Sequence, residues 1–113
     1  MNTNEPSYEF KYCWAVLSYD KSILMSWGID PYSIKGIENG TSFHVDGYKH
    51  TGVVEVSIDY ASDTFTVVLK NDAGEIVSSH TDIYLSELVQ VIDTLVEKTE
   101  DYNERIYKQY LAS

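Results

Sequence analysis

The stretch of sequence that decides the fold runs from residue 53 to residue 70 and reads VVEVSIDYASDTFTVVLK. Its first part alternates apolar with polar residues, which is the pattern of an antiparallel strand that buries one face. The alternation resumes after the short connection Ala61-Ser62-Asp63. Two such runs joined by a tight turn predict a β-hairpin whose apolar side chains share a face. Those side chains belong to Val54, Val56, Ile58 and Tyr60 in the first strand and to Phe65, Val67 and Leu69 in the second.

Two further strands extend this hairpin, so that we expect a four-stranded antiparallel meander over residues 41–82. The sequence Asn71-Asp72-Ala73-Gly74 predicts a type I turn closed by a left-handed glycine, and a strand over residues 75–81 follows it. Upstream, Asp46-Gly47 is either a two-residue hairpin turn or a bulge before a turn at residues 49–52. The apolar residues of the first predicted strand are Phe43, Val45 and Tyr48.

The most regular helical pattern covers residues 84–110, where apolar side chains recur at alternating steps of three and four residues. Ser86 is the expected N-cap, and Arg105 and Lys108 lie near the end, where the helix dipole favours cations. A sheet with one apolar face needs a cover, so we expect this helix to lie across the sheet. The apolar seam consists of Leu85, Leu88, Ile92, Leu95, Thr99, Tyr102, Ile106 and Tyr110.

The N-terminal element, residues 7–28, fits two interpretations. Phe10, Tyr12 and Trp14 alternate as in a strand, whereas Phe10, Trp14 and Leu17 share the face of a helix. We favour a helix, because the apolar content persists until Gly28, where a left-handed C-terminal cap would end it.

Residues 29–40 are predicted to form a loop, because Pro31, Gly36 and Gly40 are turn formers.

Together these elements predict the fold class α+β, with a four-stranded antiparallel β-meander packed against a long C-terminal helix and an N-terminal element that we expect to be helical. A chain of 113 residues has the size of one domain, so we expect a single domain over residues 1–113.

The charge of the chain restricts its partners. Eighteen acidic and eight basic residues give a formal net charge of −10. A field of this sign repels nucleic acid phosphates and anionic lipids, so we expect no direct nucleic acid binding and no membrane binding. The negative charge favours a basic protein partner, although the same charge also serves solubility alone.

Cys13 is the only cysteine and no secretory signal is recognised, so we expect a cytoplasmic location.

The sequence shows no catalytic motif. It contains no nucleophile elbow, no phosphate-binding glycine loop and no dinucleotide fingerprint. Cys13 lies in an apolar run, where a cysteine is ordinarily a small core residue. His44, Asp46 and His50 are the best local group for a metal ion, but they lack the spacing of a metal site. We therefore expect no catalytic residue, no metal and no cofactor, and favour a protein that is not an enzyme.

The last predicted helix carries a stripe of carboxylates at steps of four, three and four residues. Such a stripe can contact a basic partner, can imitate a row of phosphates, or can be a solvated face. Tyrosines close to the C-terminus add a second candidate contact, because tyrosine is enriched at protein interfaces. The candidate partner-binding residues are Asp93, Glu97, Glu100, Asp101, Glu104, Tyr102, Tyr107 and Tyr110.

Three functional hypotheses follow. The first is a non-enzymatic protein–protein interaction or accessory domain that binds a more basic protein partner, with mimicry of phosphates or DNA as a special case. The second is a small-ligand-binding or enzymatic domain whose aromatic-lined pocket contains Trp14, Trp27 and His44. The third is a self-associating structural protein, in which the seam of the last helix or an edge strand pairs two copies into a homodimer.

Overall fold

The computed structural model of the chain describes residues 7–97. The strands pair in sequence order, all antiparallel, and form an open five-stranded meander. The core lies between the helices and one face of this sheet, which makes the architecture α+β as predicted. The elements are α1 (Tyr8–Leu17), α2 (Lys21–Ser26), β1 (Asp30–Ile37), β2 (Gly40–Asp46), β3 (Thr51–Asp59), β4 (Thr64–Lys70), β5 (Ile76–Ile83), a 3₁₀ turn (Leu85–Glu87) and α3 (Leu88–Val96).

The hairpin predicted over residues 53–70 is confirmed as β3 and β4, except that Tyr60 follows β3 and is exposed instead of lying on the buried face. Val56 lies opposite Val67, and Val54 lies opposite Leu69. All four side chains are buried, so every second residue of each strand enters the core, as the period of a strand requires. Fully burying a valine or leucine side chain stabilises a fold by about 1.5–3 kcal/mol. This pair of strands is therefore the centre of the core.

The predicted loop at residues 29–40 is wrong over most of its length, because Asp30–Ile37 form β1 and the meander gains a fifth strand. β1 is an edge strand, which tolerates Pro31 near its start because one side of an edge makes no ladder hydrogen bonds. Its pairing with β2 is irregular in the first half, where the Ser33 hydroxyl accepts the His44 N–H at 2.7 Å. Most of its side chains are exposed, so β1 lacks the apolar alternation that reveals a strand.

The N-terminal element is helical, as predicted, but residues 7–28 form two helices rather than one. The Ser7 hydroxyl caps α1 by accepting the Phe10 N–H at 3.1 Å. The Asp20 carboxylate caps α2 by accepting the Ile23 N–H at 3.2 Å. A side chain of this type satisfies one of the N–H groups that the start of a helix leaves unpaired. Asp20 lies in the middle of the apolar run of residues 7–28, so its cap starts a second helix there.

The C-terminal helix differs from its prediction at both ends. A 3₁₀ turn replaces the first predicted turn, and neither it nor α3 has a side-chain cap, so the prediction for Ser86 is wrong. α3 ends at Val96, and residues 98–110 of the predicted helix lie outside the described residues. Leu88 and Ile92 are fully buried together with Val96, so this part of the predicted seam faces the core.

The loop at residues 47–50, between β2 and β3, holds the end of α3. The Lys49 N–H donates to the Val96 carbonyl at 2.8 Å, and the Lys49 Nζ donates to the Thr94 carbonyl at 2.6 Å. Both carbonyls belong to the last turn, which leaves its acceptors unpaired and attracts cations. At Gly47 an added Cβ would lie 2.6 Å from the Val96 oxygen, so the loop and the helix are in close contact. The loop has four residues, because Asp46 pairs with Thr51. The predicted two-residue turn or bulge at Asp46-Gly47 is therefore wrong.

A buried hydrogen bond joins Trp27, the residue after α2, to α3. Asp93 is 3% exposed, and its Oδ1 accepts the indole N–H of the fully buried Trp27 at 3.1 Å. A buried N–H without an acceptor costs about 1–3 kcal/mol, so each side chain requires the other. Asp93 therefore does not belong to a solvent-exposed carboxylate stripe, and Trp27 packs inside the core with its one polar group already bonded.

Replacing Asp93 tests this hydrogen bond. Asp93→Leu leaves the Trp27 N–H buried without an acceptor, and we expect the free energy of unfolding to fall by about 1–3 kcal/mol. Asp93→Asn keeps an acceptor oxygen and should lose less. Urea unfolding followed by tryptophan fluorescence measures both variants. Equal losses for the two would show that the hydrogen bond is not the source of the stability.

Candidate functional site

A groove of about 630 Å³ opens between the end of α1 and the start of α3. One wall comes from α1 and the turn after it, and the other comes from the 3₁₀ turn and the first turn of α3. The lining is mainly apolar. It consists of Tyr12, Ala15, Val16, Tyr19 and Asp20 on the first wall and of Leu85, Ser86, Val89 and Gln90 on the second.

The groove exists because α1 has apolar residues on two adjoining sides. Cys13 and Leu17, four residues apart, are buried against the sheet. Tyr12 and Val16, also four apart, lie one position earlier on the helix and so face about 100° away. One sheet cannot bury both sides of a helix. The second side, continued by Tyr19 in the following turn, therefore becomes a wall of the groove.

Large apolar side chains on both walls are in contact with water. Tyr19 is 93% exposed and Leu85 is 52% exposed. The groove is thus an open surface feature, whereas small-molecule sites commonly enclose about 70–90% of their ligand. Exposed apolar surface with aromatic rings is a frequent mark of a protein interaction site.

A stack of aromatic rings supports the first wall. The Tyr8 and Tyr12 rings lie 5.8 Å apart, and the Tyr12 and Phe65 rings lie 6.0 Å apart and nearly parallel. Phe65 is buried in β4. Tyr12 is therefore held by the core beneath it, so that it can contact a partner with little further loss of side-chain entropy.

Close to this stack, Tyr60 and Glu9 connect the end of the β3 strand to the first turn of α1. The Tyr60 hydroxyl donates to the Glu9 carboxylate at 2.6 Å. This hydrogen bond, with smaller effects of burial and of the negative charge, raises the pKa of Tyr60 to about 12. Tyr60 is therefore a neutral donor at physiological pH.

Cys13 has no access to a substrate. It is fully buried, and its Sγ lies 3.9 Å from the Val56 carbonyl oxygen. Burial, with a smaller contribution from the charge of Glu9, raises the pKa of the thiol to about 11. Because the thiolate is the nucleophilic form, Cys13 is protonated and unreactive in the folded chain. The prediction that it is a core residue is confirmed.

The residues of the predicted ligand pocket do not come together. The Trp14 Nε1 donates to the Thr41 hydroxyl at 3.0 Å, and Trp27 is enclosed in the core. His44 lies on the opposite face of the sheet and pairs with Asp72 at 2.9 Å. None of the three lines the groove.

The residues His44, Asp46 and His50, around the β2–β3 loop, do not form a metal site. Asp46 accepts a hydrogen bond from the Thr51 hydroxyl at 3.0 Å, and the His50 ring contacts the Val53 carbonyl at 3.4 Å. Residues 7–97 contain no group of three or more side chains that could hold a metal ion.

Most of the predicted partner-binding residues cannot be placed. Glu97 accepts the Tyr48 N–H at 2.8 Å, at the end of α3. Glu100, Asp101, Glu104, Tyr102, Tyr107 and Tyr110 lie outside the described residues. Within residues 7–97, Glu55 and Asp72 are the only carboxylates that pair with a basic side chain. The negative charge of this part of the chain is therefore largely unneutralised.

Comparison of the chain with protein-family models, with curated proteins and with solved structures finds no match. The described residues contain no helix that is long and apolar enough to cross a membrane. The sequence signal for the groove is the double periodicity of residues 7–28, which indicates a helix with apolar residues on two sides and does not require a strand.

Thiol labelling tests the environment of Cys13. We expect iodoacetamide to modify the native chain far more slowly than the urea-unfolded chain, because the native thiol is buried and protonated. Intact-mass measurement over time gives both rates. Comparable rates would place Cys13 at the surface and reopen the question of a reactive thiol.

The Tyr60–Glu9 pair predicts a dependence of stability on alkaline pH. The folded-state pKa lies above the ordinary value of 10, so the stabilisation is complete below pH 10 and is lost as the pH rises towards 12. Tyr60→Phe removes this titration and should lose less stability than the parent chain between pH 10 and 12. Parallel urea unfolding curves at each pH would measure this, and an identical loss in the variant would contradict the assignment.

Proposed function

We propose that this protein is a non-enzymatic interaction or accessory domain, which binds a more basic protein partner through the groove between α1 and α3. The observation that carries the proposal is the open apolar groove with Tyr19 and Leu85 exposed at its walls. Tyrosine rings and aliphatic side chains that remain in water gain free energy when a partner covers them.

Charge supports a basic partner. The chain has a net charge of −10, and few carboxylates of residues 7–97 are paired. A field of this kind steers a basic protein towards the surface and accelerates association. A second copy carries the same charge and is repelled, which favours a different protein over a homodimer. Mimicry of phosphates by a helical stripe loses support, because Asp93 is buried.

The remaining alternatives have weaker support. A small ligand in the groove would stay largely in water, because Tyr19 on one wall is itself almost wholly exposed. A cytoplasmic location is part of the proposal, and it is supported by a single cysteine that the core keeps as a thiol.

The test compares two tyrosine substitutions of equal size. Tyr19 is 93% exposed and lines the groove, whereas Tyr32 is 95% exposed and does not. The tagged full-length chain, Tyr19→Ala and Tyr32→Ala are used for affinity capture from lysate of the source organism, at low and moderate salt. We expect the parent chain and Tyr32→Ala to retain the same basic protein. Tyr19→Ala should bind it at least about fivefold more weakly, the loss expected when an interface side chain worth about 1 kcal/mol is truncated.

Two results would count against the proposal. One is a captured protein that both variants retain equally, which would place the binding surface elsewhere. The other is the absence of any stoichiometric partner at either salt concentration, while circular dichroism shows that the chain is folded.

A further inference from the structure

We infer that the segment of the partner that occupies the groove is an amphipathic helix with basic residues along its flank. This inference rests on the proposed function and specifies the class of segment that the groove receives. It follows from three properties of the walls: their backbone, their spacing and their charge.

The walls contain no strand edge with which an extended segment could pair. Every lining residue lies in α1, in the turn after it, in the 3₁₀ turn or in α3, and none lies in a strand. An extended segment pressed into this groove would bury its own N–H and C=O groups without partners. A helix satisfies its backbone internally and avoids that cost.

The spacing of the apolar residues along each wall suits a third helix. Tyr12, Val16 and Tyr19 follow one another at steps of four and three residues, and Leu85 and Val89 are four apart. Rows of this kind are the ridges between which a neighbouring helix inserts its own side chains. A segment with apolar residues at i, i+3 or i+4, and i+7 would place them between the two walls.

The charge of the groove favours basic residues along the flank of that helix. Asp20 is exposed at the lining, and no basic residue lines the groove. Its Oδ1 accepts the Ile23 N–H, which fixes the position of the carboxylate at the start of α2. A lysine or arginine beside the apolar stripe of the incoming helix can pair with this carboxylate. The net charge of −10 attracts the same residues over a longer range.

The experiment uses synthetic peptides as the probe. A labelled helix-forming peptide carries leucines along one face and lysines and arginines along the other, and its binding to the full chain is followed by fluorescence anisotropy. One control has the same composition with the leucines spread around the helix. A second replaces the basic residues by glutamate. We expect both controls to bind at least about tenfold more weakly than the amphipathic basic peptide.

Matched variants of the protein locate the binding. Tyr19→Ala should weaken peptide binding by about fivefold or more, and Tyr32→Ala should not. Asp20→Asn keeps the cap of α2 but removes the charge, so we expect a loss of about twofold to fivefold that disappears at high salt. Asp30→Asn removes one charge outside the groove and keeps the hydrogen bond that Asp30 accepts from the Tyr32 N–H, so it should bind like the parent chain.

Three results would overturn the inference. They are equal binding of the amphipathic and scrambled peptides, equal binding by Tyr19→Ala and Tyr32→Ala, and a homodimer in sedimentation that Tyr19→Ala dissociates. If the peptide fails while capture from lysate still depends on Tyr19, the proposed function stands and only the helical class of the partner segment is wrong. If capture also fails to depend on Tyr19, the proposed function fails with it.

Discussion

The apolar face of the sheet has to be covered, and the rest of the structure depends on how the helices share that task. α1 contributes Cys13 and Leu17, and α3 contributes a row that ends at Val96. The end of α3 is held by the β2–β3 loop, and its middle is held by Trp27. These attachments fix α3 at its C-terminal half. At its other end, α3 and α1 leave a groove between them, because the side of α1 that carries Tyr12 and Val16 is only partly covered by the sheet.

The sequence predicts those elements whose pattern is set by local geometry. The hairpin at residues 53–70 is confirmed because a strict period of two leaves one arrangement that buries all its apolar residues. β1 is missed because an exposed edge strand needs no such period, and Pro31 and Gly36 resemble a loop. The burial of Asp93 is not predictable from helical spacing. It depends on Trp27, which lies 66 residues earlier in the chain.

The candidate sites show what residue type alone cannot predict. Trp14 and Trp27 suggest ligand stacking, yet their indole N–H groups donate to Thr41 and Asp93 inside the fold. Side chains whose polar atoms already have partners contribute to stability. Tyr19 and Leu85, which line the groove, belong to no motif, and they come together only because elements distant in the sequence lie side by side.

The hydrogen bond between Trp27 and Asp93 also sets an order of events during synthesis. The meander contains mostly short-range pairings, so its strands can associate while the chain is still emerging from the ribosome. Trp27 leaves the ribosome early, but its acceptor arrives 66 residues later. Until then the indole N–H lacks its acceptor, and the part of the apolar face that α3 covers stays in water. The nine residues of α3 therefore complete the core after all five strands have left the ribosome.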